Sequence, residues 1–225
     1  MRVVALATGG KDSTLALHRA VKQGHEVAYL ATVIPRRRDS WMFHSLNLHM
    51  MEYFAEAVEI PLVKAETSGR KEEEVQDLER LLSRLDVEGV VSGAVASTYQ
   101  KNRIDKICES LGLHSIAPLW HNPPAQLLNE ILQLKFEVLI VGVFARGFDQ
   151  KWLGRKLDKT CVEDLLKLKE KYGISLIGEG GEYETLVTDA VFFKKKIRVL
   201  ETRKVWRGDH GYLTVTQAQL EPKQA

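Results

Sequence analysis

The feature that most constrains the fold of this chain is a hexapeptide near its N-terminus, Thr8-Gly9-Gly10-Lys11-Asp12-Ser13. The apolar residues 3–7 precede it, and apolar residues at helical spacing follow it over residues 15–21. This order predicts a strand, a glycine turn and a helix. Such a turn directs backbone N–H groups and the positive end of a helix dipole at one point, which suits a phosphate group.

The charged residues of the hexapeptide fit the same interpretation. Lys11 supplies a positive charge for a phosphate, and Asp12 can hold a hard divalent cation. The segment is not a Walker A loop, because Ala5 stands where that motif needs its first glycine and Asp12 separates Lys11 from Ser13. It does not match the G-x-G-x-x-G motif of dinucleotide-binding proteins either. The simple alternative is an ordinary Gly-Gly turn before a capped helix, and the complete hexapeptide after a first strand disfavours it.

Length and composition favour one large α/β domain with an elaboration. The chain has 225 residues, of which 44% are hydrophobic, and a net charge of +2. This balanced charge argues against obligate nucleic-acid binding through a basic face. No apolar run is long enough for a membrane span, and residues 3–6 belong to a strand rather than to a secretory signal. The cysteines Cys108 and Cys161 form no metal-binding pattern, so we expect a reducing, cytoplasmic location.

The first half of the chain alternates between strand and helix patterns. Strands are predicted at residues 3–7, 26–34, 60–65 and 87–91, and helices after the hexapeptide and at residues 45–58, 71–85 and 97–111. The alternation predicts an α/β fold with a mostly parallel sheet and helices on both faces. Ligands bind at the carboxyl ends of the strands in such sheets. The glycine turn, the loop after residue 34 and the turn at residues 92–99 should therefore converge.

After about residue 118 the pattern changes. Helices are predicted at residues 123–134 and 160–172, and strands at residues 136–143, 197–206 and 211–215. The second half is therefore predicted to be a smaller α+β elaboration. We divide the chain into residues 1–120 and residues 121–225.

A second distinctive segment, residues 178–185, combines three glycines with three carboxylates. Glycines allow positive φ and close backbone approach, and the carboxylates must face solvent, a cation or a ligand. A flexible acidic turn is the simple alternative, which the apolar residues directly after it disfavour. The candidate site residues are Glu179, Gly180, Gly181, Glu182, Tyr183 and Glu184.

Two more polar segments follow predicted strands. In residues 93–103, Ser97 or Thr98 can cap a helix, and Arg103 can bind phosphate or carboxylate through two hydrogen bonds. An exposed first turn with an i,i+4 pair explains that segment equally well. In residues 40–44, Met and aromatic residues can line an adenine slot or belong to the core, and His44 can be a base or a packing residue.

Taken together, these segments resemble the diphthine–ammonia ligase family of PP-loop ATP pyrophosphatases. The hexapeptide matches the S-G-G-x-D-S of these enzymes at every position but the first, where Thr8 keeps the hydroxyl. More specific is the pairing of G-x-x-x-S-x-Y-Q with E-G-G-E-[YF]-E-T-L. The matching stretches are residues 8–13, 40–44, 93–108, 112–120 and 178–193.

The resemblance implies a Rossmann-like PP-loop fold of the adenine nucleotide alpha hydrolase type that uses ATP and Mg²⁺. Residues 1–120 would bind ATP and residues 121–225 the substrate. The implied ATP contacts are Thr8, Gly9, Gly10, Lys11, Asp12, Ser13, Met42, His44 and Gly93, with Asp12 on Mg²⁺. The implied catalytic residues are Lys11, Asp12, Glu182 and Glu184. The implied substrate contacts are Ser97, Tyr99, Gln100, Arg103, Glu179, Gly180, Gly181 and Tyr183.

The implied reaction is the ATP-dependent amidation of diphthine, a modified histidine of translation elongation factor 2, to diphthamide. The nitrogen donor would be free ammonia, and the products AMP and pyrophosphate. The acidic segment would recognise the trimethylammonium group of diphthine or deprotonate ammonium.

Two other functions stay open at this point. One is a PP-loop enzyme that modifies tRNA, which two structural-looking cysteines and the lack of a basic groove disfavour. The other is a non-catalytic nucleotide-binding module, which Lys11 and Asp12 disfavour. Neither a membrane nor a nucleic acid is an expected partner, and the sequence leaves the oligomeric state, including a homodimer, open.

Overall fold

Two separate sheets organise the chain. The computed structural model describes residues 1–35, 46–68 and 71–223. The chain divides into two compact units, Met1–His121 and Asn122–Ala225. No helix within the described ranges is long and apolar enough to cross a membrane.

The first unit is an α/β domain around a five-stranded sheet. Its strands are β1 (Arg2–Leu6), β2 (Glu26–Pro35), β3 (Leu62–Thr67), β4 (Gly89–Val91) and β5 (His114–Ile116). Its helices are α1 (Lys11–Lys22), α2 (Met51–Val58), α3 (Lys71–Leu82) and α4 (Thr98–Leu111), and a 3-10 turn at Leu48–Met50 leads into α2. The strand order is β3-β2-β1-β4-β5, and all neighbouring strands are parallel.

The order of the strands locates the ligand-binding edge. From β1 the chain moves outward to β3, and it then returns to β4 on the other side of β1. The direction of winding therefore reverses between β1 and β4. In open parallel sheets, ligands bind in the crevice at the carboxyl ends of the two strands where the order reverses. The hexapeptide follows β1 and residues 92–97 follow β4, so both segments lie at this crevice.

The parallel α/β fold predicted from the sequence is confirmed. One core cluster joins the central strands to α3 and α4, with side chains that include Val4, Val33, Val90, Leu78 and Ile107. Each such side chain contributes roughly 1.5–3 kcal/mol when fully buried. Strand β5 was not predicted, because three residues with two polar side chains carry no hydrophobic pattern.

The second unit is built on an antiparallel sheet. Its strands are β6 (Glu137–Val143), β7 (Tyr183–Asp189), β8 (Lys195–Trp206) and β9 (Gly211–Pro222), in the order β7-β6-β9-β8. Its helices are α5 (Pro124–Gln133) and α6 (Lys159–Tyr172), with a 3-10 turn at Gln150–Trp152. This unit confirms the predicted α+β elaboration, although β9 extends beyond the predicted residues 211–215.

Candidate functional site

The glycine turn after β1 is held in shape by its own hydroxyl groups. Gly9 has φ +75°, the left-handed region that favours glycine. The hydroxyls of Ser13 and Thr14 both donate to the carbonyl of Gly10, over 3.1 and 2.8 Å. Thr8 donates its N–H to the Ser13 hydroxyl over 3.4 Å. The hydroxyl-bearing side chains therefore fix the turn, which leaves its backbone to face a ligand.

The amides at the start of α1 form an anion-binding geometry. Within the helix, Thr14 donates its N–H to the Gly10 carbonyl over 3.1 Å. The N–H groups of the first helical turn precede this ladder and have no acceptor inside the helix. Together with the helix dipole they make a site suited to phosphate.

Lys11 and Asp12 form an ion pair at the same turn. The side chain of Lys11 is 3% exposed, and its Nζ lies 2.8 Å from Oδ2 of Asp12, whose side chain is 31% exposed. A buried ammonium needs a partner of opposite charge, and the neighbouring carboxylate provides one. The pair thus keeps a positive charge inside the turn and places a carboxylate where solvent reaches it.

Gly93 brings the β4–α4 loop into contact with this turn. A Cβ at Gly93 would lie 2.8 Å from the backbone N of Ser13 and 2.9 Å from its Cα. Real Cβ atoms do not approach backbone so closely, so only glycine fits where the two loops meet at residue 93. The predicted convergence is confirmed for the glycine turn and the loop after β4. The predicted ATP contacts Met42 and His44 lie outside the described residues.

Asp12 fits as one ligand of a nucleotide-bound cation. Among the described residues, no three or more His, Cys, Asp or Glu side chains cluster to hold a metal ion. Asp12 is a single carboxylate at the mouth of the turn. Mg²⁺ usually takes one or two carboxylates and completes its coordination with phosphate oxygens and waters.

The start of α4 carries the second predicted group of site residues. Ser97 caps the helix by accepting the N–H of Gln100 over 3.4 Å, which confirms the predicted cap. The guanidinium carbon of Arg103 lies 3.6 Å from the centroid of the Tyr99 ring. Tyr99 and Arg103 therefore form the i,i+4 pair that was the simple alternative for this segment, and the stacking fixes the plane of the guanidinium.

A polar cluster beside this helix start was not predicted. Lys101 donates to Asp105 over 2.7 Å and lies 5.5 Å from the Trp120 ring, and Ser115 donates to the same carboxylate over 2.6 Å. Burial alone would raise the pKa of Asp105, but the hydrogen bonds from Lys101 and Ser115 outweigh it and lower that pKa. The i,i+4 spacing of Lys101 and Asp105 is visible in the sequence, whereas Ser115 and Trp120 join them only through the fold.

In the second unit, Tyr183 is placed as a packing residue. It is 2% exposed, and its hydroxyl donates to the carbonyl of Leu176 over 2.9 Å. Gly178, with φ +75°, lies so close that a Cβ there would stand 2.9 Å from the Tyr183 ring. The predicted role of Tyr183 as a substrate contact stays a prediction.

Glu182 of the acidic segment accepts a hydrogen bond from the backbone shortly before that segment. Its Oε1 accepts the N–H of Ser175 over 2.8 Å, and a Cβ at Gly180 would lie 2.9 Å from the same oxygen. The second oxygen, Oε2, is buried with no hydrogen-bond partner among the residues that the structure describes. Gly181, with φ +79°, completes the turn by donating its N–H to the Gly178 carbonyl over 3.1 Å.

Glu179 and Glu184 are both half-buried. Glu179 lies inside the turn. Glu184 lies within β7, opposite Gly142 of β6, and its neighbour Tyr183 lies opposite Val143. Successive side chains of a strand point to opposite faces. Glu184 therefore points away from the face on which Tyr183 is buried.

Both cysteines are buried, as predicted. Cys108 is 1% exposed and Cys161 is not exposed. Burial raises the pKa of each thiol to about 11. A thiol with this pKa is almost entirely protonated near neutral pH and a poor nucleophile. This weighs against thiolation chemistry.

Comparisons with known proteins agree with the resemblance found in the sequence. The family model described as the diphthamide synthase N-terminal domain matches residues 1–115, and that of the C-terminal domain matches residues 123–220. The chain is 35% identical to the diphthine–ammonia ligase of Mus musculus, over 99% of this chain and 94% of that protein. It is 36% identical to that of Bos taurus over the same shares. The Homo sapiens protein is also 36% identical, over 88% of this chain and 83% of its own length.

Proposed function

The chain belongs to the diphthine–ammonia ligase family, and from this membership we propose that it amidates diphthine on translation elongation factor 2, using ATP and ammonia. The observation that carries the proposal is the contact between Gly93 and Ser13. That contact supports the proposal because it brings a turn suited to phosphate to the crevice where an open parallel sheet binds its ligand.

ATP has a chemical task in this reaction. A carboxylate is a poor acyl donor, because its leaving group would be oxide. In the proposed first step, a carboxylate oxygen of diphthine attacks the α-phosphorus, a new P–O bond forms, and the bond to the β-phosphate oxygen breaks to release pyrophosphate. Ammonia then attacks the carbonyl carbon of the acyl-adenylate, AMP leaves, and the nitrogen loses one proton to give the neutral amide.

The glycine turn would stabilise the charge that grows on the departing phosphates. The amides of the first turn of α1 and the ammonium of Lys11 are the donors available there. Losing one preorganised donor of this kind typically costs roughly 100- to 1000-fold in rate. Asp12 would hold a Mg²⁺ ion, which when bound neutralises phosphate charge.

Two groups of residues are proposed to contact diphthine. At the start of α4, Arg103 is oriented by its stacking on Tyr99 and would bind the diphthine carboxylate in the plane of the guanidinium, near Ser97 and Gln100. In the acidic segment, Glu179 and the turn formed by Gly180 and Gly181 would approach the substrate together with Glu182 and Glu184. Their carboxylates would attract the trimethylammonium group, or one of them would deprotonate ammonium.

The burial of the thiols supports free ammonia as the nitrogen donor. Releasing ammonia from glutamine through a thioester requires a reactive thiolate. Cys108 and Cys161 are the two cysteines of the chain, and burial raises the pKa of both thiols to about 11. Robust turnover with glutamine in the absence of ammonium would overturn this part of the proposal.

The proposal is tested by pyrophosphate release from ATP in the presence of purified elongation factor 2 that carries diphthine, with and without ammonium. The same assay is run with Lys11→Met, which removes the charge at the turn. The matched control is Lys22→Met, because Lys22 is exposed in the last turn of the same helix. Mass spectrometry of the elongation factor follows the conversion of acid to amide.

The expected result is that pyrophosphate and amide form only with the diphthine protein and ammonium. Activity should fall at least 100-fold in Lys11→Met and stay unchanged in Lys22→Met. If the diphthine protein does not stimulate pyrophosphate release while ATP still binds, the ligase proposal fails, and RNA substrates or a sensing role are the next to be tested.

A further inference from the structure

The registers of β6, β7 and β9 place an acidic and an aromatic residue in one row across the sheet. Gly142 of β6 lies opposite Glu184 of β7 on one side and opposite Tyr212 of β9 on the other. Directly opposed residues of antiparallel strands project from the same face. Glu184 and Tyr212 therefore flank Gly142 on one face of the sheet.

The next row on this face adds a second aromatic ring. The N–H of Phe144 donates to the carbonyl of Glu182 over 2.9 Å, which continues the β6–β7 pairing by one residue beyond Val143. The Phe144 and His210 rings lie 6.3 Å apart at 31°. Phe144 is 41% exposed, unusual for so large an apolar side chain.

The opposite face of the same strands is the packed one. Val143 and Tyr183 form a pair that is 0% and 2% exposed. In the same row, a Cβ at Gly211 would lie 2.5 Å from the Trp206 ring. At this end of the strands, the face of Val143 and Tyr183 is therefore packed, and Phe144 lies on the other face.

Gly142 leaves a gap in the first row. Strands β7 and β9 lie on either side of β6, so the backbones at Glu184 and Tyr212 are about 10 Å apart, and Gly142 projects no side chain of its own between them. Gly142 is itself buried, so neighbouring side chains cover its backbone. The side chains of the two rows include one carboxylate, Glu184, and two aromatic rings, Tyr212 and Phe144.

We propose that Phe144 and Tyr212 are the aromatic walls of a quaternary-ammonium site whose acidic wall is Glu184. Quaternary ammonium groups bind to aromatic faces and to nearby carboxylates, because their charge is spread over methyl groups that shed water readily. The inference rests on the proposed function, since diphthine supplies such a group. It replaces Tyr183, whose ring is buried on the other face, with two residues that the sequence did not single out.

The site is tested first without the reaction. Choline and its neutral isostere 3,3-dimethylbutan-1-ol are titrated into the full chain, and binding is followed by NMR chemical-shift changes. Wild type should bind choline and not the neutral isostere. Phe144→Leu and Tyr212→Leu should weaken choline binding roughly 5- to 30-fold, whereas Phe144→Trp should keep it, because an indole face binds cations best.

The matched control is Tyr172→Leu. Tyr172 is a half-exposed aromatic residue of the same unit, at the end of α6. Its ring lies beside the cationic groups of Arg146 and Lys171. This variant should bind choline as wild type does. Equal binding of choline and the neutral isostere, or equal loss in Phe144→Leu and Phe144→Trp, would overturn the proposal, because a packing role does not distinguish charge or aromaticity.

The same variants are then measured in the ligase assay. Phe144→Leu and Tyr212→Leu should raise the KM for the diphthine-bearing elongation factor roughly 5- to 30-fold, with the KM for ATP unchanged. Wild type without any diphthine-dependent activity would refute the proposed function alone, since choline binding is read separately. Normal KM values in both Leu variants of an active enzyme would refute this inference alone.

Discussion

Gly93 and Ser13 touch backbone to backbone: a Cβ on Gly93 would stand 2.8 Å from the N of Ser13. They come from loops that follow β4 and β1, the two strands between which the sheet reverses its order. The contact therefore joins the two sides of the crevice in the first unit and constrains the shape of the glycine turn after β1.

Replacing Gly93 should damage this turn more than the rest of the unit. We expect Gly93→Ala to weaken ATP binding at least 10-fold, because the new methyl group must push the first turn of α1 away. Overpacking of this kind also costs roughly 1–3 kcal/mol of stability. Isothermal titration with ATP and urea unfolding measure the two effects.

The control for that variant is Gly24→Ala. Gly24 has φ +83° and open space around its Cβ position, so the variant carries backbone strain of about 1 kcal/mol without a steric clash. It should bind ATP as wild type does. Normal ATP affinity in Gly93→Ala would show that the close contact has no part in the site.

Tyr183→Phe tests whether this tyrosine packs or binds. The change removes the hydroxyl that donates to the Leu176 carbonyl over 2.9 Å and leaves the ring. We expect the free energy of unfolding to fall by about 1 kcal/mol, because a buried acceptor loses its donor. The KM for the diphthine substrate should not change. A raised KM at unchanged stability would make Tyr183 a substrate contact after all.

The N-cap of α6 predicts a pH-dependent loss of stability. Asp158 accepts the N–H of Cys161 over 2.8 Å, and this hydrogen bond is the main cause that lowers the pKa of Asp158. Because the pKa of Asp158 is lower in the folded state, the charged cap stabilises the fold at pH values above the unfolded pKa of about 3.9. This stabilisation is lost as the pH falls through the pKa of the folded state. Asp158→Ala should cost about 1 kcal/mol at pH 7 and less at pH 2.

Asp158→Asn separates the charge from the hydrogen bond. Asparagine caps a helix about as well as aspartate but does not titrate. In urea unfolding, the stability gap between the Asn and Ala variants should stay constant from pH 7 to pH 2. A gap between wild type and Asp158→Ala that does not narrow at low pH would contradict the assigned role of the charge.

The cysteines should be inert in the folded protein. Because burial raises the pKa of both thiols to about 11, a thiol reagent at pH 8 should label neither until the chain is unfolded in guanidinium, and then both. The Cys108→Ala and Cys161→Ala variants should keep ligase activity within about twofold, since neither thiol is a nucleophile. Complete loss of activity in a folded variant would reopen a thiol-based mechanism.

Much of the first unit could be predicted because its signals are local. The hexapeptide, the alternation of strands and helices and the cap at Ser97 each lie within a few neighbouring residues, and the structure confirms them. Strand β5 was missed because His114–Ile116 has no apolar pattern of its own and is a strand only by pairing with β4. The cluster of Lys101, Asp105 and Ser115 was missed because Ser115 reaches Asp105 only through the fold.

The acidic segment shows the limit of sequence reasoning most directly. Its composition indicated carboxylates beside an aromatic ring, and Tyr183 was the aromatic residue next to them. A strand turns adjacent side chains to opposite faces, so Tyr183 became a core residue while Glu184 faces the other way. The aromatic residues on the face of Glu184, Phe144 and Tyr212, are distant in sequence.

The sequence by itself determined the family, the parallel α/β fold of the first unit and the glycine turn between β1 and α1, because short-range order and spacing encode them. Only the tertiary structure decided which side chains share a surface. Strand register pairs residues about 40 or 70 positions apart, as for Glu184 and Tyr212 with Gly142. Such pairing depends on the packing of the whole sheet, and no local pattern in the chain specifies it.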